Sequence, residues 1–380
     1  MGGTKAVGRK RPAARDKITL TAEQKQMYAA ERLINFRWIA KLCATRSSRV
    51  LTAEDRAPPD LQAELSELGQ FAELAYSTLP IPFVYDNLAV LCAPSFPMEG
   101  FDALSTSVLV VPFPGLHTGY VAYRATQRQI IVAFAGTTTL GQAFHDLNAR
   151  KRRYPRGREC AVHAGFWKLF KGMRSAAVDG IKQALAKHDV GEVVLVGHSM
   201  GAVLCYLLGL ELITSDEIMP RGLPLKIATY GSPRAGDAAL CNLWNESVAA
   251  YQTQHGMDSV KEYSIKAYND GVHALPPHSW GFQHFCKKPV YLSRGKLYSI
   301  PSSESEHSVF EVVDSEPEKS DIINPRGGHN YYSERDLERA VRRLRWLDKA
   351  TRTKAKSEGS SGWEKRYRIL VAKYEKFKAS

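Results

Sequence analysis

The stretch Gly197-His198-Ser199-Met200-Gly201 constrains this chain more than any other. The valine-rich run Glu192-Val193-Val194-Leu195-Val196 before it reads as a buried strand, and the apolar run from Ala202 to Leu208 after it reads as a helix packed on the sheet. Small residues on both sides let the chain turn sharply enough to present a strained serine at the strand's carboxyl end. The helix then aims its amino terminus at the same spot, where backbone N–H groups can hold an anionic oxygen. Residues 193–213 are long and apolar enough to imitate a membrane span, but His198, Ser199 and the two glycines of the motif oppose that reading. Gly-x-Ser-x-Gly also recurs by chance, so the serine needs partners elsewhere in the chain.

The surrounding pattern is α/β. Three β-like runs lie at 108–111, 118–123 and 129–135, separated by short turns that suggest antiparallel neighbours at the start of a mainly parallel sheet. A long helix is expected over about 164–187, then the serine strand and its helix. Further strands are expected at 226–230 and 263–268 with a helix between them, and a strand pair at 288–293 and 296–300. Upstream, Thr21-Ala22-Glu23-Gln24 opens a helix of capping-box type that continues through Met27, Leu33, Phe36, Ile39 and Leu42. A second helix is expected from Leu61 to Tyr76. Residues 302–325 read as an exposed, Ser/Glu/Asp-rich insertion around one strand near 308–313, and 334–349 as a helix. The chain is thus expected to hold a flexible basic arm at 1–17, one domain over 18–350, a linker at 351–362 and a separate unit at 363–380.

The net charge of +13 raises a nucleic-acid partner, but its location argues otherwise. Residues 1–17 carry six basic residues and one acidic, residues 351–380 nine and three, so everything between holds only +2. No nucleic-acid recognition motif accompanies the tails. In the last eighteen residues Trp363, Tyr367, Leu370, Val371, Tyr374 and Phe377 recur mostly at spacings of three and four among lysines and arginines. This is a basic amphipathic helix, which either docks on the protein or, with the amino-terminal arm, lies on an anionic membrane. The six cysteines are scattered without metal-ligand spacing and read as reduced structural thiols. With no apolar secretory core near the amino terminus, the expected location is intracellular, cytoplasmic or peripheral to a membrane.

A serine hydroxyl becomes nucleophilic when a histidine takes its proton, and the histidine needs a carboxylate to fix its tautomer. Downstream, Asp270 follows a predicted strand directly, where sites in such sheets gather. Asp237 precedes a helix and is better explained as its N-cap. His273, His278, His284, His307 and His329 compete as base. His329 is late in the chain, in a loop before the last core helix, whereas His284 sits in an aromatic cluster that suggests packing.

The ordered motifs resemble the class 3, fungal-type lipase family of the α/β-hydrolases. They are Phe71 to Tyr76, Ile131 to Thr138, Asp146-Leu147, Val162 to Phe166, the serine motif, Tyr230 to Gly236, Asn269-Asp270 with Leu275-Pro276-Pro277, Gly281 to His284, and His329 to Tyr332. The resemblance covers about 71–332 and implies an α/β-hydrolase fold with a mainly parallel central sheet flanked by helices. It implies Ser199 as nucleophile, Asp270 as acid and His329 as base, with Thr137 and the Met200 N–H forming the oxyanion hole. Ala135 departs from the arginine usual in the family before Gly-Thr. The implied lid spans 138–146, with Leu140 and Phe144 among its apolar residues, and six basic residues follow it in 150–158. Arg150, Arg152 and Arg153 there are candidates for lipid headgroup contacts, against the plainer reading of a solvated loop. The expected activity is hydrolysis of acylglycerol or phospholipid esters without metal or organic cofactor. A silent lipid-binding scaffold and a non-lipid carboxylesterase are the alternatives.

Overall fold

A computed structural model describes residues 20–29, 35–94, 98–114, 119–136, 150–157, 159–315, 325–337, 339, 369–374 and 376. The chain divides into two compact units, Met1–Arg32 and Leu33–Ser380. In the first, the helix Ala22–Ala29 opens on the expected capping box: Thr21 N–H donates to Gln24 Oε1 (3.0 Å) and Gln24 N–H to Thr21 Oγ1 (3.1 Å). Of the helix expected to reach Leu42, Ala22–Ala29 is helical in the first unit and Asn35–Leu42 in the second, and residues 30–34 lie outside the described residues.

In the second unit the strands are β1 (Arg46–Leu51), β2 (Ser107–Pro112), β3 (Gly119–Arg124), β4 (Gln129–Phe134), β5 (Lys151–Arg153), β6 (Ala161–His163) and β7 (Glu192–His198). They continue with β8 (Leu225–Tyr230), β9 (Val260–Ala267), β10 (Val290–Ser293), β11 (Lys296–Ser299), β12 (Val309–Val312), β13 (Tyr331–Tyr332) and β14 (Arg335–Asp336). Eight of them form one sheet in the order β11-β10-β9-β8-β7-β4-β3-β2. The centre, from β4 through β7, β8 and β9 to β10, is parallel, while β2, β3 and β11 close the edges antiparallel. β4, β7 and β8 are buried almost throughout, which is why they read as unbroken apolar runs instead of alternating ones.

Helices cover both faces. One core gathers β-sheet side chains with the helix Ala164–Lys187, the helix Met200–Thr214 and the helix Ala238–His255; the other gathers the opposite face with the helix Pro59–Leu74. The helix after the serine is apolar on every side because it is enclosed by the sheet and its neighbouring helices, not because it spans a membrane. No helix among the described residues is long and apolar enough to cross one. The Gly197 and Gly201 pair makes this crossing possible. A methyl group on Gly197 would stand 2.7 Å from Ala202 N, and one on Gly201 would collide with the Phe134 carbonyl and lie 2.9 Å from that of Ala135.

Three expectations change. The segment 302–325 is not wholly an exposed insertion: β12 pairs in parallel with β1, a strand the Arg/Ser-rich 46–49 sequence conceals, and Phe310 is buried. Residues 334–336 are not helical, since β14 pairs with β13 to close a small hairpin; 340–350 lie outside the described residues. Of the carboxyl-terminal unit, helical residues 369–374 place Leu370 and Tyr374 in the core, with Tyr374 against Phe83 at 4.8 Å between ring centroids. Within that stretch Leu370 and Tyr374 face the protein while Ile369 is exposed; 363–368 and 377–380 lie outside the described residues. The arm at 1–17 and the linker at 351–362 lie outside the described residues. All six cysteines are free thiols, four of them buried.

Candidate active site

Ser199 sits at the junction of β7 and the helix Met200–Thr214, with φ 58° and ψ −125°. A serine tolerates positive φ only where its surroundings over-determine it. Here its N–H is tied to the Tyr230 carbonyl of β8 at 2.8 Å, and the glycine contacts described above fix the turn. The side chain is buried, and its Oγ has no hydrogen-bond partner among the described residues. A methyl group on Gly136, two residues beyond β4, would come within 2.9 Å of Ser199 Cβ, so the end of β4 lies against the serine. In the first turn that follows, Ala202 N–H donates to the Ser199 carbonyl at 3.1 Å, while the Met200 and Gly201 N–H groups, which precede it, come too early for an intrahelical carbonyl.

Asp270 follows β9 at the carboxyl edge, where the sequence places it. Its Oδ2 lies 3.0 Å from His329 Nδ1 and accepts a short hydrogen bond from Tyr332 Oη, while Oδ1 accepts from Val272 N–H at 2.7 Å. Asp270 and His329 are both fully buried. Burial alone would raise the Asp270 pKa, but the charge and hydrogen bond of His329, the charge of His273 and the Tyr332 hydroxyl together hold it well below the ordinary carboxylate range. The carboxylate is therefore ionised and faces one imidazole nitrogen, which fixes that nitrogen as the N–H donor and turns Nε2 away from the acid.

His198 connects the serine turn to this pair. Its Nε2 donates to the His329 carbonyl oxygen at 2.7 Å, its Nδ1 accepts from Tyr76 Oη at 2.7 Å, and its ring centroid stands 4.4 Å from that of His329. The other histidines are used differently. His273 and His284 form a buried ladder from the Ala267 carbonyl, through His273 Nε2 (3.1 Å), to the His273 carbonyl and His284 Nε2 (2.9 Å). Burial lowers the pKa of both. His278 is exposed and His307 pairs with Glu304 at 2.9 Å. Asp237 caps the helix Ala238–His255, its carboxylate accepting from Leu240 N–H at 2.9 Å.

Sequence reasoning missed the supports. Tyr76 and Tyr332 were visible only as the ends of motifs, and nothing in the His198 neighbourhood announced a bond to a residue 131 positions away. Arg234, fully buried, donates to the Ala274 (2.7 Å) and Pro276 (3.2 Å) carbonyls and pairs with Glu306 at 2.7 Å, pinning the loop that follows Asp270. The only hint was a charged residue four positions after the predicted strand at 226–230.

Met200, expected to offer its N–H, occupies the first turn of the helix and is buried. Thr137, Leu140 and Phe144 lie outside the described residues. Arg150, Arg152 and Arg153 are exposed on or beside β5. No group of three or more His, Cys, Asp or Glu able to hold a metal occurs among the described residues.

Residues 131–274 match the family described as lipase (class 3). The secreted mono- and diacylglycerol lipase A of Penicillium cyclopium is 29% identical over 167 residues, covering 44% of this chain and 49% of that protein. Lipase A of Sodiomyces alcalophilus is 29% identical over 213 residues, 49% of this chain and 46% of its own. The chain thus spans about half the length of the curated relatives it matches. The fold resembles lipase II from Rhizopus niveus, with a TM-score of 0.57 at 19% identity over 75% of this chain and 99% of that one. It also resembles the Rhizomucor miehei lipase propeptide complex, with a TM-score of 0.55 at 18% identity over 78% and 92%. The matched segment, which holds both the serine turn and Asp270, is similar to the class 3 lipase family.

Proposed function

We propose that the protein is a serine hydrolase of lipid carboxylic esters, acylglycerols foremost, working through an acyl-serine intermediate. The observation that carries this reading is the Asp270 to His329 hydrogen bond, buried and aimed from the same sheet edge that presents Ser199. Ser199 Oγ attacks the ester carbonyl while His329 Nε2 takes its proton. The carbonyl oxygen gains negative charge and is held by the Met200 N–H together with Thr137. His329 then returns the proton to the departing alcohol, and a water molecule, activated by the same imidazole, releases the fatty acid. Asp270 remains ionised throughout and stabilises the imidazolium. The names of the relatives favour acylglycerols; the cations that follow the lid segment favour phospholipids as the second substrate class.

A fluorophosphonate probe followed by peptide mapping, together with initial rates on short-chain esters, acylglycerols and phospholipids in mixed micelles, tests the reading. Labelling of Ser199, and loss of both labelling and turnover in Ser199→Ala, are expected. An unlabelled Ser199 in folded protein would instead support a silent lipid-binding scaffold. Turnover of short-chain esters alone would support a non-lipid carboxylesterase.

A further inference from the structure

The strand β5 carries Lys151, Arg152 and Arg153, all exposed, with exposed Arg150 directly before it. None of the four has an ion-pair partner among the described residues. Between 150 and 163 the sole acidic residue is Glu159 in the turn, whereas Arg156 beyond the strand is already paired with Glu211. The ribbon therefore presents a cluster of exposed cations without ion-pair partners, a positive field that attracts an anionic surface.

An aromatic anchor stands beside this row. β5 pairs with β6, Val162 of β6 bridges to Gly236, and Gly236 bridges to Gln283, so the 278–283 loop continues the same ribbon. Lys151 Nζ lies 5.1 Å from the centroid of the Phe282 ring, and a methyl group on Gly281 would stand 2.5 Å from that ammonium. The next residue back, Trp280, is 58% exposed at the end of the short turn His278–Trp280. A large apolar side chain left in water one residue from the Gly281 contact with Lys151, near cations without ion-pair partners, matches a lipid headgroup region, where indole rings settle and basic side chains meet phosphate.

We propose that Arg150 to Arg153 and Trp280 form a docking surface for anionic phospholipid membranes. The surface deepens the lipid-ester reading and rests on it for its purpose. It is joined by chain to both halves of the site: β5 follows the segment that leaves Gly136 beside Ser199, and Trp280 ends the loop that begins at Asp270. Cations and indole would set the orientation in which that edge of the sheet meets the bilayer. Selectivity for anionic surfaces follows from charge and is separate from which ester is cleaved.

The test uses the full chain carrying Ser199→Ala, so that binding requires no turnover and is read independently of whether the protein is a hydrolase. Sedimentation is compared on vesicles of phosphatidylcholine alone and of phosphatidylcholine with phosphatidylserine. Stronger binding to the anionic vesicles, weakened by added salt, is expected. The triple variant Lys151→Gln/Arg152→Gln/Arg153→Gln should lower that partition coefficient by roughly a hundredfold, each charge being worth about fivefold. Quenching of tryptophan fluorescence by lipids brominated in the acyl chains should be reduced in Trp280→Phe. Both basic tails remain in every variant, so undiminished binding of the triple variant with a preserved melting profile overturns the proposal. Equal binding to neutral and anionic vesicles does the same. Binding of an RNA oligonucleotide that the triple substitution abolishes, without vesicle binding, would reassign the surface to nucleic acid.

Discussion

His198 Nε2 lies 2.7 Å from the carbonyl oxygen of His329, so the residue immediately before the serine holds the backbone of the histidine that faces Asp270. A carbonyl only accepts, hence Nε2 carries the hydrogen and Nδ1 is left to accept from Tyr76. Burial lowers the His198 pKa well below its ordinary value, and the charge of His329 adds to the effect. The ring stays neutral at working pH and acts as a strut between the helix Pro59–Leu74 region and the loop of His329.

His198→Ala removes that strut while leaving the side chains of Ser199, Asp270 and His329 unsubstituted. Ester turnover should fall roughly 10- to 100-fold, corresponding to about 1–3 kcal/mol for an unmet buried polar group, and should appear in kcat more than in KM. Tyr76→Phe, which leaves only His198 Nδ1 unmet, should cost less. Steady-state kinetics on a soluble ester decide; unchanged kcat in His198→Ala would refute the positioning role.

Asp270 makes a pH-dependent contribution to stability. An unfolded aspartate titrates near about 3.9, and in the folded protein the pKa lies lower, so the stabilisation is fully present above that value and is lost as pH falls toward the folded pKa. Urea midpoints measured between neutral pH and acid should therefore drop for the native protein, and drop less for Asp270→Asn. The same substitution should cut kcat by on the order of 10⁴, because the imidazole loses the anion that fixes its tautomer.

Lys266 is buried in β9, where its ammonium donates to the Ser305 carbonyl and, at 2.9 Å, to that of His307. Burial first, then the neighbouring Arg234 charge, lowers its pKa to about 7, with Glu306 opposing. Between that value and the unfolded lysine pKa near about 10.4 the unfolded chain binds the extra proton, so stability rises with pH, by at most about 1.4 kcal/mol per unit. Chemical denaturation at pH values across this window should show the rise, and Lys266→Met should flatten it.

Gly201→Ala should destabilise the fold by about 3 kcal/mol or more, because the added methyl meets two backbone carbonyls of the β4 end and neither can rotate away. Differential scanning calorimetry would register a lower melting temperature. Full stability would mean that β4 and the serine helix are farther apart than the structure places them.

The α/β class, the serine turn, the Asp237 cap and the position of Asp270 just after a strand were legible in the chain because each rests on local chemistry. Valine-rich runs bury, small residues permit a tight turn, and an aspartate before a helix caps it. His329 was one of five histidines on residue chemistry alone, and the resemblance of its block to the class 3 lipases singled it out. Its neighbours Tyr76, His198 and Tyr332 are joined by hydrogen bonds spanning 62 to 131 positions. No periodicity records such pairings. The β1 to β12 pair was hidden for the same reason, since an Arg/Ser-rich strand finds its partner 263 residues away by register rather than by apolar pattern. What the amino-acid sequence determined by itself is the architecture and the residue types able to do the chemistry. What only the tertiary structure decided is which buried polar groups hold them, because burial forces every donor and acceptor to find a partner and folding chooses which one.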